Sequence, residues 1–263
     1  MSANLKRRCG ILLGAAFIIL SILALLPEAD VDHDAGYISS ELNIQETVDG
    51  SVTGTSYVNP DGVITEAIDM DYATVCRMWD ENGRIIEERY LDANGDPVAR
   101  YGDYYGVSYE YDETSTVITY LDAEGNPIIR SDGYSTIIRT QIDSMASEDF
   151  YYDLDGQQVQ CSGGYYGLHH WYNSDGQNTG MTFLDKDGHA VCSSSGYAGV
   201  TYQYNMDGTF VSQQYFDTEG NPVRASLGQY GELYQRNEQG YISQITFLDA
   251  DGNPAPTLSL IHI

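Results

Sequence analysis

From residue 51 onward, short runs of β-branched and aromatic residues alternate with polar turns that contain glycine. Runs such as STVITY at 115–120, GVTYQY at 199–204 and YISQITF at 241–247 have the length and composition of β-strands. No segment in this part of the chain has a convincing helical period. The pattern therefore predicts an all-β fold.

One nine-residue pattern recurs seven times along the chain. Each copy has an aromatic residue, then Asp or Asn two positions later, then Gly three positions further on. The copies begin at Tyr57, Tyr90, Tyr120, Tyr151, Phe183, Tyr215 and Phe247. Their nearly constant spacing predicts repeats that stack on their neighbours to bury a shared core.

A second, weaker turn lies between successive copies. It reads DENG at 80–83, NSDG at 173–176, NMDG at 205–208 and NEQG at 237–240, with degenerate versions at Asp112 and Asp143. Asp or Asn first and Gly fourth is what a type I turn with a G1 bulge requires. We therefore expect an elongated array of stacked β-hairpin repeats over residues 55–257, with a period of about 32 residues.

Residues 1–29 predict a signal anchor or a signal peptide. Lys6, Arg7 and Arg8 precede an uninterrupted apolar run from Gly10 to Leu26, whose length fits either reading. We favour an uncleaved transmembrane helix because Pro27 stands poorly for cleavage. The positive-inside rule then places residues 1–9 in the cytoplasm and the rest outside the cell membrane. Cleavage and secretion is the alternative.

Two further segments lack the repeat pattern. Residues 30–54 are acidic and polar, which is typical of a flexible stalk. Residues 258–263, LSLIHI, fit no repeat position, and one back-translation of them is the transposon end used to build sequencing libraries. We interpret them as a sequencing-adapter artefact and expect the protein to continue beyond Thr257. A genuine apolar tail is the alternative.

The charge balance narrows the choice of partners. The chain has 39 Asp and Glu against 12 Lys and Arg, a formal net charge of -27. So acidic a surface repels phosphate backbones, and we therefore predict no nucleic-acid partner. Cationic partners or divalent ions are favoured instead.

Candidate metal ligands and thiols have simpler structural explanations. The turns DLDG at 153–156, DKDG at 185–188 and DADG at 249–252 place two carboxylates two positions apart, but an EF-hand loop needs further ligands, including a bidentate Glu. We favour turn capping over calcium binding. Cys161 and Cys192 lie at nearly the same place in consecutive repeats, and either two free thiols or a pair across stacked repeats fits that spacing.

Candidate catalytic groups are equally scarce. His169 and His170 are adjacent, so on a strand they point to opposite faces and cannot share one site. No zinc spacing, nucleophile elbow or phosphate loop is visible. We therefore predict no catalytic residue, no metal site and no cofactor, and a protein that is not an enzyme.

A row of tyrosines is the best candidate for binding. Tyr105, Tyr134, Tyr166, Tyr197 and Tyr230 recur once per repeat. Exposed, they would suit stacking on sugar rings of cell-wall or host glycans, and facing inward they would form the core. Core packing is the favoured interpretation, and glycan contact is the alternative.

An aromatic residue, Asp or Asn, two residues and then Gly occurs at Trp79–Gly83, Tyr152–Gly156, Tyr172–Gly176, Tyr204–Gly208 and Phe216–Gly220. This motif resembles the tyrosine-aspartate repeats of bacterial RHS-type surface and toxin proteins. The resemblance implies a bacterial surface β-hairpin repeat protein. The longer period and the Asn-Pro after the turn glycine, as at Asn126 and Pro127, depart from that family and argue against a toxin-shell role.

Together these observations predict a non-enzymatic extracellular repeat scaffold tethered at a bacterial cell surface. One alternative is a glycan- or cell-wall-binding module. The other is the stalk of a larger enzyme or toxin that is truncated at its carboxyl terminus.

Overall fold

The computed structural model describes residues 37–255 except 238, 239 and 241, together with the backbone of 261 and 262. This part of the chain is all-β: antiparallel strands form one open sheet, hydrogen-bonded in chain order, beside one short 3-10 helix at Ser39–Glu41. The predicted all-β class is confirmed. The strands are β1 (Asn43–Asp49), β2 (Val52–Val58), β3 (Thr74–Trp79), β4 (Ile85–Leu91), β5 (Gly106–Tyr111), β6 (Ser115–Leu121), β7 (Thr136–Asp143), β8 (Ala146–Tyr152), β9 (Gly167–Tyr172), β10 (Asn178–Leu184), β11 (Gly199–Tyr204), β12 (Phe210–Phe216), β13 (Gly231–Arg236), β14 (Ile242–Leu248) and β15 (Ile261–His262).

The turns have the predicted design. After β4, the Oδ1 atom of Asp92 accepts hydrogen bonds from the backbone N–H groups of Asn94 and Asp96, at 2.8 and 2.9 Å. Gly95 has φ +87°, a left-handed conformation that side chains other than glycine rarely adopt. The same pair of side-chain hydrogen bonds recurs at Asn59, Asp80, Asp153, Asn173, Asp185, Asp217 and Asp249. The predicted turn chemistry is thus confirmed.

Two linked turns make the longer connections between strands. From β4 to β5, the turn at Asp92 brings Val98 back beside β4, where its N–H group donates to the Tyr90 carbonyl at 3.0 Å. A second turn then returns the chain so that Arg100 forms an isolated bridge with Tyr104. Val98 packs against the cluster of buried residues that contains Tyr90. Each long connection therefore folds over its own aromatic residue rather than leaving it exposed.

The chain divides into two compact units. The amino-terminal unit contains Asp30–Thr140 and Phe150–Ser162, and the carboxyl-terminal unit contains Gln141–Asp149 and Gly163–Ile263. Strands β1–β6 lie wholly in the first unit and β9–β15 in the second. In the first unit the core includes Tyr72, Tyr90 and Val107, and in the second it includes Phe183 and Tyr215.

A row of aromatic rings in contact with one another, through stacked, tilted and edge-to-face pairs, runs through the core of each unit. In the amino-terminal unit the successive ring contacts join Tyr57, Tyr72, Tyr90, Tyr104, Tyr120, Tyr134 and Tyr151, with centroid distances from 4.4 to 6.0 Å. In the carboxyl-terminal unit they join Tyr165, Phe183, Tyr197 and Tyr215, with distances of 4.5, 5.6 and 4.6 Å. We call these two runs of rings the tyrosine stacks. Offset and tilted arrangements at this separation are the favourable ones for aromatic pairs.

The segment assigned to a flexible stalk is partly folded. Residues 43–49 form β1, which pairs with β2 from Asn43 opposite Val58 to Asp49 opposite Val52. The sequence interpretation missed this hairpin because every residue of β1 is exposed, so no hydrophobic alternation marks the strand. The hairpin closes at Gly50, whose φ is +59°.

The predicted anchor, residues 1–29, and most of the predicted adapter-derived tail, residues 258–263, lie outside the described part of the chain. Within the described part, no helix is both long and apolar enough to cross a membrane. Residues 261 and 262 form β15, opposite Ile245 and Gln244 of β14.

Candidate functional site

The five predicted tyrosines occupy two rows rather than one. Tyr134 and Tyr197 lie two positions before the first residue of β7 and of β11, and both rings belong to the tyrosine stacks. Their row continues through Tyr72, Tyr104 and Tyr165, not through the other three predicted residues. For Tyr134 and Tyr197 the structure therefore shows the inward, core-forming arrangement.

Tyr105, Tyr166 and Tyr230 form the second row and are half-buried. Their N–H groups donate to the carbonyls of Leu121, Leu184 and Leu248, which are the last residues of β6, β10 and β14. The same backbone position is filled in the intervening hairpins by small buried residues, Ala73, Ser135 and Ala198. The second row thus carries a tyrosine at every other position.

Two arginines are inserted into the amino-terminal tyrosine stack. The Arg130 guanidinium lies over the rings of Tyr104, Tyr120 and Tyr134, at 5.3, 4.5 and 5.4 Å from their centroids. Its Nε atom donates to Asp103 at 2.7 Å, and both side chains are only 10 % exposed. Arg100 has a similar place over Tyr72 and Tyr90. Cation–π contacts and the buried ion pair together hold this part of the core in one arrangement.

Burial changes the acidity of the tyrosines in the stacks. It raises the pKa of Tyr104 to about 12 and raises the pKa of Tyr90 further still. These phenols stay neutral at physiological pH, so the buried arginines meet neutral aromatic faces rather than phenolates. The arrangement is suited to packing and not to proton transfer.

A buried polar cluster on β8–β10 contains His170, which is 2 % exposed. The Asn178 side-chain N–H donates to its Nδ1 at 3.1 Å, while the Asn178 oxygen accepts from the Gly180 N–H at 2.9 Å. The other ring nitrogen, Nε2, lies 3.3 Å from the Asp149 carboxylate.

His169 has a different set of neighbours. Its Nδ1 lies 2.9 Å from Glu148, and its ring is 4.1 Å from that of Trp171. The prediction that the two histidines cannot share one site is therefore confirmed. Sequence reasoning missed the His170 cluster because its partners are brought together only by strand pairing and by the irregular register between Asn178 and Gly180.

Another polar group, the half-buried Glu232, lies in the carboxyl-terminal unit. Glu232 stands where β11 has the buried Val200, one position after the glycine that begins the strand. Its carboxylate accepts hydrogen bonds from the phenols of Tyr215 and Tyr234 and from the side-chain amides of Gln213 and Gln229. Burial and this carboxylate raise the pKa of Tyr215. The Glu232 carboxylate thus accepts hydrogen bonds from four uncharged side chains.

In the acidic turns, the first Asp side chain caps the turn by accepting hydrogen bonds from backbone N–H groups of the same turn. Hydrogen bonds from backbone N–H groups hold the pKa of Asp92, Asp122, Asp185 and Asp217 below the usual value. No group of three or more His, Cys, Asp or Glu side chains within the described residues could hold a metal ion. The Oδ1 oxygens of these turns are thus engaged in capping.

The cysteines of the described part are free thiols. Cys161 is buried, Cys192 is exposed and Cys76 is between the two. Burial raises the pKa of the Cys76 thiol, which lowers its reactivity. Cys192 is therefore the most accessible of the three.

Aromatic residues placed directly before the short turns join neighbouring hairpins, a role that the sequence motif did not reveal. The Tyr111 phenol donates to the Ile85 carbonyl at 2.6 Å, and the Tyr204 phenol donates to the Asn178 carbonyl at 2.7 Å. The Trp79 indole makes a comparable hydrogen bond, to the Thr53 hydroxyl at 2.9 Å. The signal in the sequence was the aromatic residue before each turn.

An open groove lies between the β9–β10 turn and the β11–β12 turn of the carboxyl-terminal unit. Its lining includes Asn173, Asp175, Gln177, Tyr204, Met206 and Asp207. Tyrosine faces, amides and carboxylates therefore meet at one place on the surface.

Comparison with known proteins gives no assignment to set beside this geometry. No protein-family model matches the chain, and no curated protein matches it significantly.

Proposed function

We propose that the protein is a non-enzymatic extracellular repeat scaffold, tethered at a bacterial cell surface by its amino-terminal apolar segment. The observation that carries the proposal is the pair of tyrosine stacks, in which recurring aromatic residues pack against the rings before and after them. Contacts of this kind let similar units be joined in series, because each unit needs only its neighbours to bury its aromatic face.

The strand positions support a regular repeat. Alternate strands begin at Thr74, Gly106, Thr136, Gly167, Gly199 and Gly231, which matches the spacing of the nine-residue pattern. We propose a repeat of one short-turn hairpin and one double-turn connection, related to the tyrosine-aspartate repeats of bacterial surface proteins. The acidic composition favours an exposed, soluble surface.

The exposed thiol of Cys192 offers a test of the location. On intact cells that express the full chain, a membrane-impermeant maleimide is expected to label Cys192, because this thiol is exposed. Cys9 precedes the apolar run and should be labelled only after lysis. Mass spectrometry of the labelled peptides gives the readout.

Cys192→Ser is the matched control and should remove most of the labelling on intact cells. Labelling of Cys192 only after lysis would place the repeats inside the cell and overturn the tether. A labelled chain found free in the medium would instead support cleavage and secretion.

Glycan binding is the second candidate, and the half-buried second row favours it. Tyr105, Tyr166 and Tyr230 lie outside the tyrosine stacks of the described residues. The Arg224 guanidinium lies 5.4 Å from the centroid of the Tyr230 ring, so a sugar would have to share or displace that contact, whereas Tyr105 and Tyr166 make no such contact within the described residues. Changing all three to Ala is expected to abolish binding to purified peptidoglycan or a polysaccharide array while the circular dichroism spectrum is kept. Tyr197→Ala is the contrasting variant: it opens the core and should lower stability. Equal binding by the wild type and the triple variant would exclude this row.

A further inference from the structure

In the amino-terminal unit, the side chain of Arg84 fills a gap between two neighbouring hairpins. The Arg84 guanidinium lies 4.5 Å from the centroid of the Tyr111 ring. Its Nε atom donates to the Asp80 carboxylate at 2.7 Å. Tyr111 is held in place by its hydrogen bond to the Ile85 carbonyl. An aromatic face and a turn carboxylate thus enclose a guanidinium group here.

The groove of the carboxyl-terminal unit is the corresponding place without the cation, and Asn173 stands there in the position of Asp80. Tyr204 precedes its turn as Tyr111 does, and its phenol binds the Asn178 carbonyl as Tyr111 binds that of Ile85. Gln177 takes the position of Arg84, four positions after the first turn residue. Among the described residues, no cation–π contact involves the Tyr204 ring.

Gln177 is held away from the position that Arg84 occupies. Its Nε2 atom donates to the Gly208 carbonyl at 3.2 Å, and its Oε1 atom accepts from the Asn173 side chain at 2.9 Å. Gly208 has φ +85°, and a Cβ atom there would come within 3.1 Å of the Gln177 amide. The amide is therefore anchored to the next turn and does not neutralise the groove.

The charge of the groove suits a cation from outside. Asp175 and Asp207 line it, both are exposed, and its lining contains no Lys or Arg. One Asp207 oxygen accepts the Thr209 N–H at 2.8 Å, which orients the carboxylate at the turn. The fully exposed Met206 completes the rim.

We propose that this groove binds the guanidinium group of an arginine side chain presented by a cationic partner. A guanidinium is planar, so it stacks on a tyrosine face while its N–H groups reach carboxylate oxygens. Arg84 and Tyr111 show that this repeat geometry accommodates such a group. The proposal concerns a binding site and does not depend on the scaffold role or on the tether.

Methionine-methyl NMR on the full chain tests the proposal directly, because Met206 lines the groove. The probe is N-acetyl-arginine methyl ester, and N-acetyl-citrulline methyl ester is its uncharged isostere. Only the arginine ester is expected to shift the Met206 methyl signal in a saturable way, with at least about ten-fold weaker response to citrulline. Met78 and Met145 are exposed elsewhere and should not move.

Two variants decide between the groove and non-specific attraction to an acidic protein. Gln177→Arg is expected to fill the groove as Arg84 does and to abolish the Met206 response. Asp175→Asn with Asp207→Asn should weaken binding several-fold while the other methionine signals keep their positions, which shows that the fold is intact. An absent Met206 response, an equal response to both esters, or a response that survives both variants would overturn the proposal.

Discussion

Deleting residues 183–214 is expected to leave a folded protein with one repeat fewer. The deletion removes one period as the sequence predicts it and joins Thr182 to Tyr215, so Tyr215 takes the place of Phe183 in the tyrosine stack. Strand β10 would then pair with β13 as it now pairs with β11, through Met181 and Thr182. Urea unfolding should stay cooperative, with a smaller m value because less surface becomes exposed.

A deletion shorter by a single residue is the matched control. Removing 184–214 leaves Phe183 directly before Tyr215, and in a strand a slip by a single position turns every later side chain to the opposite face. This variant should lose its cooperative transition or aggregate, although its chain is the longer of the two. Two variants that unfold alike, or a shorter deletion that is as stable as the in-phase one, would contradict a modular array.

Arg130→Met is expected to destabilise the protein by about 3–5 kcal/mol, the usual cost of leaving one member of a buried ion pair without its partner. Asp103 is 10 % exposed, and its carboxylate would lose the guanidinium with which it is paired. The guanidinium contacts with Tyr104, Tyr120 and Tyr134 would also be lost. Equilibrium unfolding in urea at neutral pH gives the free energy difference.

Two controls separate the ion pair from simple loss of packing. Combining Arg130→Met with Asp103→Asn should recover part of the loss, because the stranded charge is removed, and the double-mutant cycle measures the coupling. Arg84→Met breaks a comparable pair on an arginine side chain that is 46 % exposed, so its effect should be much smaller. Equal losses for Arg84→Met and Arg130→Met would show that burial of Arg130 has no special importance.

Local turn chemistry could be predicted from the sequence because it depends on residues within one turn. Asp or Asn at the first position and Gly at the fourth specify the capping hydrogen bonds by themselves, as at Asp92 and Gly95. The strands could be predicted from the same turn residues, because each strand is a segment between two turns. The β1–β2 hairpin was missed because β1 buries none of its side chains.

The register of the tyrosines could not be predicted in the same way. Period counting is accurate to about one position, but neighbouring strand residues face opposite sides. Tyr104 and Tyr105 are adjacent, as are Tyr165 and Tyr166, so the sequence offers two choices at each doublet. The predicted ladder joined one member of each doublet to Tyr134 and Tyr197, which belong to the other row. Strand pairing is needed to decide between them.

The groove and the His170 cluster were also beyond the sequence. Both depend on which side chains meet across strands, such as Gln177 with Gly208 and His170 with Asn178. The role of Gln177 is recognised only by comparison with Arg84. Arg84 has the same position in another hairpin but contacts the Tyr111 ring, whereas Gln177 contacts the Gly208 carbonyl.

The chain-order pairing of the strands also bears on how the protein can fold. Each strand pairs with the strand that precedes it, so hydrogen bonding requires closure only of hairpin turns and of connections shorter than one repeat. Low contact order of this kind favours rapid folding. A hairpin emerging first from a ribosome or an export channel could pair before later residues are released. Each added hairpin would then find an edge already formed, so structure could grow at the pace at which the chain is delivered.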